Sequence, residues 1–111
     1  MMNEPEDNPY IVVLMTSPDR EEARTIALTL LEERLAACVS IFPRGESYFR
    51  WEGKIDQAEE FLLVAKTRGK KLNGLIGAVK KIHRYEVPEI VALPVSGGSR
   101  EYLDWLGEEI K

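Results

Sequence analysis

IVVLMTSPDREEARTIALTLLEERLAACVSIF, residues 11–42, is the stretch on which the fold turns. IVVLM (11–15) is a continuous apolar run rich in β-branched side chains, which predicts a buried strand. TSPD (16–19) ends the run. Ser17 is expected to cap a helix with Pro18 at its first position, while Asp19, Glu21 and Glu22 complement the positive end of the helix dipole. Ala23, Ile26, Ala27, Leu30, Leu31 and Leu35 then recur at helical spacing and form one apolar stripe. ACVSIF (37–42) predicts a second strand, stopped or bent at Pro43.

Beyond residue 42 the pattern repeats in a second unit. SYFRW (47–51) alternates as a projecting strand does, and Glu52-Gly53 supplies a tight turn because Gly53 can take positive φ. The chain returns through KID (54–56), and FLLVAK (61–66) predicts a strongly apolar strand. Leu72, Leu75, Ile76, Val79 and Ile82 mark a second helix, weakened by Gly74 and Gly77. EIVALPV (89–95) predicts the last strand. After the break at GGS, Ser99 is placed to cap a short helix carrying Tyr102, Leu103, Leu106 and Ile110. The order is β-α-β-β-α-β with an extra C-terminal helix. Right-handed crossovers put both long helices on one face of an antiparallel sheet, an α+β, ferredoxin-like arrangement. The other sheet face then needs cover, and copies of the same chain are the expected source.

The chain has 111 residues, 44% of them hydrophobic, enough for one modest core and a single domain over 10–111. MMNEPEDNP (1–9) carries two prolines and no large apolar residue beyond its methionines, so it reads as a disordered N-terminal tail. A net charge of −4 argues against a nucleic-acid binder, and RGKK (68–71) with KK (80–81) fits solvated helix ends better than a phosphate groove. No apolar run reaches bilayer length, so no membrane partner is expected. The N-terminus has no signal pattern, and the single cysteine, Cys38, fits a reducing compartment. A cytoplasmic protein is the expectation.

KKIHRYEVPEIVAL (80–93) holds the only histidine. His83 shares the apolar stripe of the second helix at its last turn, so it is read either as a satisfied C-terminal histidine or as a ligand. Tyr85, Glu86 and Glu89 follow on a segment that Val87 and Pro88 hold extended, where positions three apart point to opposite faces. Cys38 is read either as a buried small hydrophobe or as a soft copper or zinc ligand. One Cys and one His fall short of a closed zinc site, unless several copies contribute around a symmetry axis. Trp51 and Tyr48 on the hairpin suit interface anchors, and Lys66 ends its strand either binding an anion or reaching solvent. There is no phosphate-binding glycine loop, nucleophile elbow or HExxH. LMTSPDR offers Arg20 but no glycine, which weighs against an acylphosphatase.

LEERLAACVSIFP, SYFRWEGKI, the strand ending in KT, HRYEVPEI and YLDWL, in that order and spacing, together resemble the CutA divalent-cation tolerance proteins. The resemblance covers nearly all of Tyr10 to Leu106. It implies a homotrimer similar in plan to PII signalling proteins, in which the long hairpin, about Ser47 to Glu60, extends a neighbour's sheet with Trp51 as an anchor. It further implies binding of copper(II) or another divalent metal, none of it tightly held, at inter-subunit clefts walled by His83, Tyr85, Glu86, Pro88, Glu89 and Ile90, with Cys38 matching the family cysteine. Arg84 departs from the pattern, standing where the family usually has proline. It frees the exit from the helix and adds a positive charge that disfavours a cation. The competing reading is a PII-like signalling module that takes a small anionic metabolite or a partner in the same clefts, tuned by Arg84, Lys66 and the acidic pair. A third, a hydrolase or lyase using His83 and a glutamate, has no accompanying nucleophile or cofactor motif, and the chain is not expected to be an enzyme.

Overall fold

The computed structural model describes residues 8–111, so residues 1–7 of the expected tail lie outside the described residues. In chain order it contains β1 (Ile11–Ser17), α1 (Arg20–Glu32), β2 (Cys38–Trp51), β3 (Lys54–Thr67), a 3-10 turn at Gly69–Lys71, α2 (Leu72–Ile82), β4 (Ile90–Pro94) and α3 (Arg100–Glu109). The four strands form one antiparallel sheet in the order β2-β3-β1-β4. This is the ferredoxin-like arrangement expected from two crossovers of the same hand.

Alternation along β1 decides what is core. Ile11, Val13 and Met15 point to the helices and are buried, together with Phe61, Leu63 and Ala65 of β3. Ala23, Ile26 and Leu30 of α1 and Leu72, Leu75 and Val79 of α2 close over them. Each large side chain so buried contributes about 1.5–3 kcal/mol, enough in sum to hold two short helices that propensity alone would not. Gly74 has a use beyond its poor propensity. A Cβ there would lie 2.9 Å from Leu35 Cδ2, so the glycine lets α2 approach the turn that follows α1.

The cap of α1 differs from expectation. Asp19, not Ser17, is the N-cap, accepting from the Glu22 amide at 2.7 Å, and Pro18 lies outside the helix. Ser17 is the last residue of β1 and fully buried, so its hydroxyl turns inward to a side chain instead. The strand expected to stop or bend at Pro43 bends. Register shifts between Phe42 and Gly45, leaving one extra residue on an edge strand, where proline removes no ladder bond. Glu52 (φ 49°) and Gly53 (φ 78°) both take left-handed backbone and join Trp51 to Lys54 in a two-residue turn. Ser99 caps α3 as expected, accepting from the Tyr102 amide.

Two surfaces stand out. β1 pairs with β3 only from Phe61 to Thr67, so the remainder of the β2–β3 hairpin projects as a two-stranded arm. Trp51 is 57% and Ile55 74% exposed on that arm. A two-stranded arm is marginal alone in water. On the sheet face away from α1 and α2, the rungs Phe42–Leu62–Thr16, Ser40–Val64–Leu14–Val91 and Cys38–Lys66–Val12–Leu93 bring apolar side chains together. Phe42, Leu62, Val91 and Leu93 of this set are exposed. Among the described residues no helix is long and apolar enough to cross a membrane.

Candidate functional site

Three element ends meet at one corner of the fold: the end of β1, the first turn of α1 and the last turn of α2. Glu22 belongs to the first turn of α1, but it lies four residues before Ile26 and so on the inward face of the helix. Its carboxylate side chain is 5% exposed. One oxygen, Oε1, accepts from the Ser17 hydroxyl at 2.8 Å, and Oε2 accepts from the Arg84 amide at 3.1 Å. A buried carboxylate needs a countercharge. The Arg84 guanidinium supplies it, with Nε 3.6 Å from Oε2 and a second ion pair to Asp19.

His83 forms the C-cap of α2, its own amide donating to Val79 at 2.9 Å. From there the ring turns inward and is 0% exposed. Nε2 lies 2.7 Å from the Thr16 carbonyl, which can only accept, so Nε2 carries the proton. Nδ1 accepts from the Tyr85 amide at 3.1 Å. The Tyr85 ring packs beside the imidazole, centroids 4.9 Å apart. Burial pushes the Tyr85 phenol above its ordinary value, helped by the nearby charge and hydrogen bond of Glu60 and by the charge of Glu22; Arg84 opposes this weakly. Glu60, near the base of the hairpin arm, is itself buried.

His83, Arg84 and Tyr85 are thus brought together. Glu86 and Glu89 follow on the exposed surface of the segment leading to β4. Cys38 and Lys66 are elsewhere. They face each other across β2 and β3, whereas Thr16 opposes Leu62, four residues along β3, about 13 Å at the usual strand rise. Lys66 directs its ammonium to α3, 3.3 Å from the Tyr102 hydroxyl and over that ring. Tyr48 and Trp51 lie on the arm, exposed.

Copper(II), implied by the resemblance, favours imidazole, thiolate and carboxylate donors on one centre. Within one chain these groups do not fit it. Both imidazole nitrogens already have partners, and the thiol is several rungs away. Among the described residues no three His, Cys, Asp or Glu side chains converge to hold a metal ion.

Three residues of this corner were not singled out from sequence. Glu22 carried a signal, since it shares the i, i+4, i+8 spacing of Ile26 and Leu30, although it was read only as a dipole partner. The sequence places Ser17 in a cap. Nothing in the linear pattern ties Glu60 to Tyr85, because their meeting depends on how the arm leaves the sheet.

The profile of the family described as CutA1 divalent ion tolerance protein matches residues 11–109. The divalent-cation tolerance protein CutA of Thermus thermophilus is 55% identical over 97 residues, covering 87% of this chain and 94% of its own. Its solved structure superimposes with a TM-score of 0.90 over 92% of this chain and 99% of that one. The chloroplastic CutA protein of Arabidopsis thaliana is 48% identical over 98 residues, 88% of this chain but 54% of the longer plant protein. A structure described as the periplasmic divalent cation tolerance protein CutA of Archaeoglobus fulgidus gives a TM-score of 0.89 at 44% identity, over 92% of this chain and 99% of that one. On the family match and these identities, the chain belongs to the CutA1 divalent ion tolerance family.

Proposed function

We propose that this chain works as a homotrimer, PII-like in plan, that binds a divalent cation at clefts between its copies and so takes part in the response to metal ions. The observation that carries the reading is the pair of surfaces a single chain leaves bare: the apolar sheet face around Leu62 and Val91, and the arm bearing Tyr48, Trp51 and Ile55. Both are stabilised together if the arm of one copy lies along the sheet of the next. Glu86 and Glu89 then become wall residues of a seam, and either exposed carboxylate, completed by groups of a neighbouring copy, is a donor for the cation. Copper(II) leads the divalent ions by intrinsic affinity. A thiolate can join such a site only if another copy presents its Cys38. The role is binding rather than catalysis, because the Ser17 hydroxyl and the His83 nitrogens are engaged with partners inside the fold. The free thiol of Cys38 supports a reducing compartment such as the cytoplasm. The alternative small anionic ligand finds less support, since the Arg84 charge is matched by Asp19 and Glu22.

The test is calorimetric titration of the metal-free protein with copper(II), beside the double variant Glu86→Gln/Glu89→Gln. We expect the variant to bind at least about tenfold more weakly, the scale of one lost charge-assisted contact. Equal affinity in both proteins would remove these carboxylates from the site.

A further inference from the structure

We propose that His83 is a positioning residue, its Nε2 donating to the Thr16 carbonyl and its Nδ1 accepting from the Tyr85 amide, and that it presents Glu86 and Glu89 without itself ligating copper. The proposal rests on the carboxylate reading above for what is presented; the two bonds stand on geometry alone. Two successive backbone amides leaving α2 are each held by a buried side chain, Arg84 by Glu22 at 3.1 Å and Tyr85 by His83 Nδ1 at 3.1 Å. The ring is fixed in turn through Nε2 to the end of β1 at 2.7 Å. Three elements therefore set the direction in which residues 84–86 leave the helix.

The same bonds refuse a metal. A copper ion on an imidazole nitrogen sits in the ring plane about 2 Å away, along the lone pair. At Nδ1 that lone pair already accepts the Tyr85 amide, and an ion there would meet its N–H. At Nε2 the ring would have to lose its proton and leave the Thr16 carbonyl without a donor, in a ring that has no exposed surface. Protonating Nδ1 instead would set N–H against N–H. With the proton on Nε2 the ring donates to the Thr16 carbonyl, faces the Glu22 carboxylate 3.4 Å away and leaves Nδ1 free to accept the Tyr85 amide.

Asparagine is the discriminating substitution. Its side-chain oxygen can accept from the amide two residues on, as in an Asx turn, and so replace Nδ1 without offering an imidazole. Long-range proton–nitrogen correlation spectra of the metal-free protein should show His83 protonated on Nε2 and bare on Nδ1. Hydrogen exchange at the Tyr85 amide should quicken about tenfold or more in His83→Ala, as expected for one lost hydrogen bond, and stay within about threefold in His83→Asn. Copper(II) affinity should follow the same order, kept in His83→Asn and weakened in His83→Ala. The proposal is overturned by a proton on Nδ1. It is equally overturned by copper broadening the imidazole signals at substoichiometric metal, or by loss of binding in His83→Asn with the Tyr85 amide still protected. A parent protein that binds no copper overturns the carboxylate reading, while the tautomer and amide exchange still decide the role of His83.

Discussion

Arg84→Pro puts into this chain's own network the residue that the resemblance implies there, and its cost can be worked out from the contacts. His83 already has φ −67° and ψ 136°, the extended conformation that a following proline demands, so the substitution meets no clash on that side. What it removes is the amide donor to Glu22 at 3.1 Å and the guanidinium that neutralises the same carboxylate. A hydrogen bond to a buried charge contributes about 1.5–3 kcal/mol. The guanidinium side chain is 66% exposed, so its ion pairs add at most about 1 kcal/mol. Proline returns about 0.4–1 kcal/mol by restricting the unfolded chain. The balance is a loss of about 2 kcal/mol, whereas Arg84→Ala keeps the amide and should lose about 0.5 kcal/mol. Urea unfolding at one fixed protein concentration measures both, since self-association makes apparent stability depend on concentration. Equal midpoints for the two variants would refute the argument, because they would mean that the Arg84 amide does nothing for Glu22.

Other consequences concern pH and packing. The Tyr85 phenol has a raised pKa, so the fold favours its neutral form; the stability this gives is full below the unfolded value of 10.0 and is lost as pH rises through the higher folded value. Parent and Tyr85→Phe should therefore lose stability differently above pH 10, with the parent falling faster, and phenolate absorbance should report a late-titrating tyrosine in the parent alone. Gly77→Ala should stabilise by about 0.5–1 kcal/mol, since a Cβ there meets nothing within 4 Å in a helix interior. Gly107→Ala should destabilise despite the same helical gain. Its Cβ would fall 2.7 Å from both Arg68 Nη2 and Tyr10 Oη, displacing the Arg68 bond to the Gly107 carbonyl. Thermal melts of the two alanine variants moving in the same direction would contradict this.

The architecture was legible because its signals are periodic. Residues 11–42 carry a continuous apolar run, one helical period and a second apolar run in unbroken succession, and within the first run the structure buries alternate residues, Ile11, Val13 and Met15. The turn at Glu52-Gly53 was legible because few residues accept left-handed backbone. Local chemistry competing for the same partner was harder to read. Ser17 and Asp19 can both cap a helix, and burial of Ser17 at the end of a strand decided between them. The candidate site was half legible. His83, Arg84 and Tyr85 are contiguous and were picked as a group, but the groups that satisfy them, Thr16, Glu22 and Glu60, come from other elements. No spacing rule connects a carboxylate on one helix to an amide after another. Cys38 is expected near His83 through the resemblance and Lys66 as a tuning group of the competing reading, and strand register puts both at the other end of the sheet.

A homotrimer requires the two bare surfaces to be covered by identical chains. Sedimentation equilibrium of the metal-free protein at micromolar concentration measures this directly. The predicted result is a single species of three times the chain mass, which dissociates when Leu62 and Val91 on the sheet face are both changed to aspartate. A homogeneous species of one chain mass, with amides of the 45–60 arm as protected as those of β1, would contradict it.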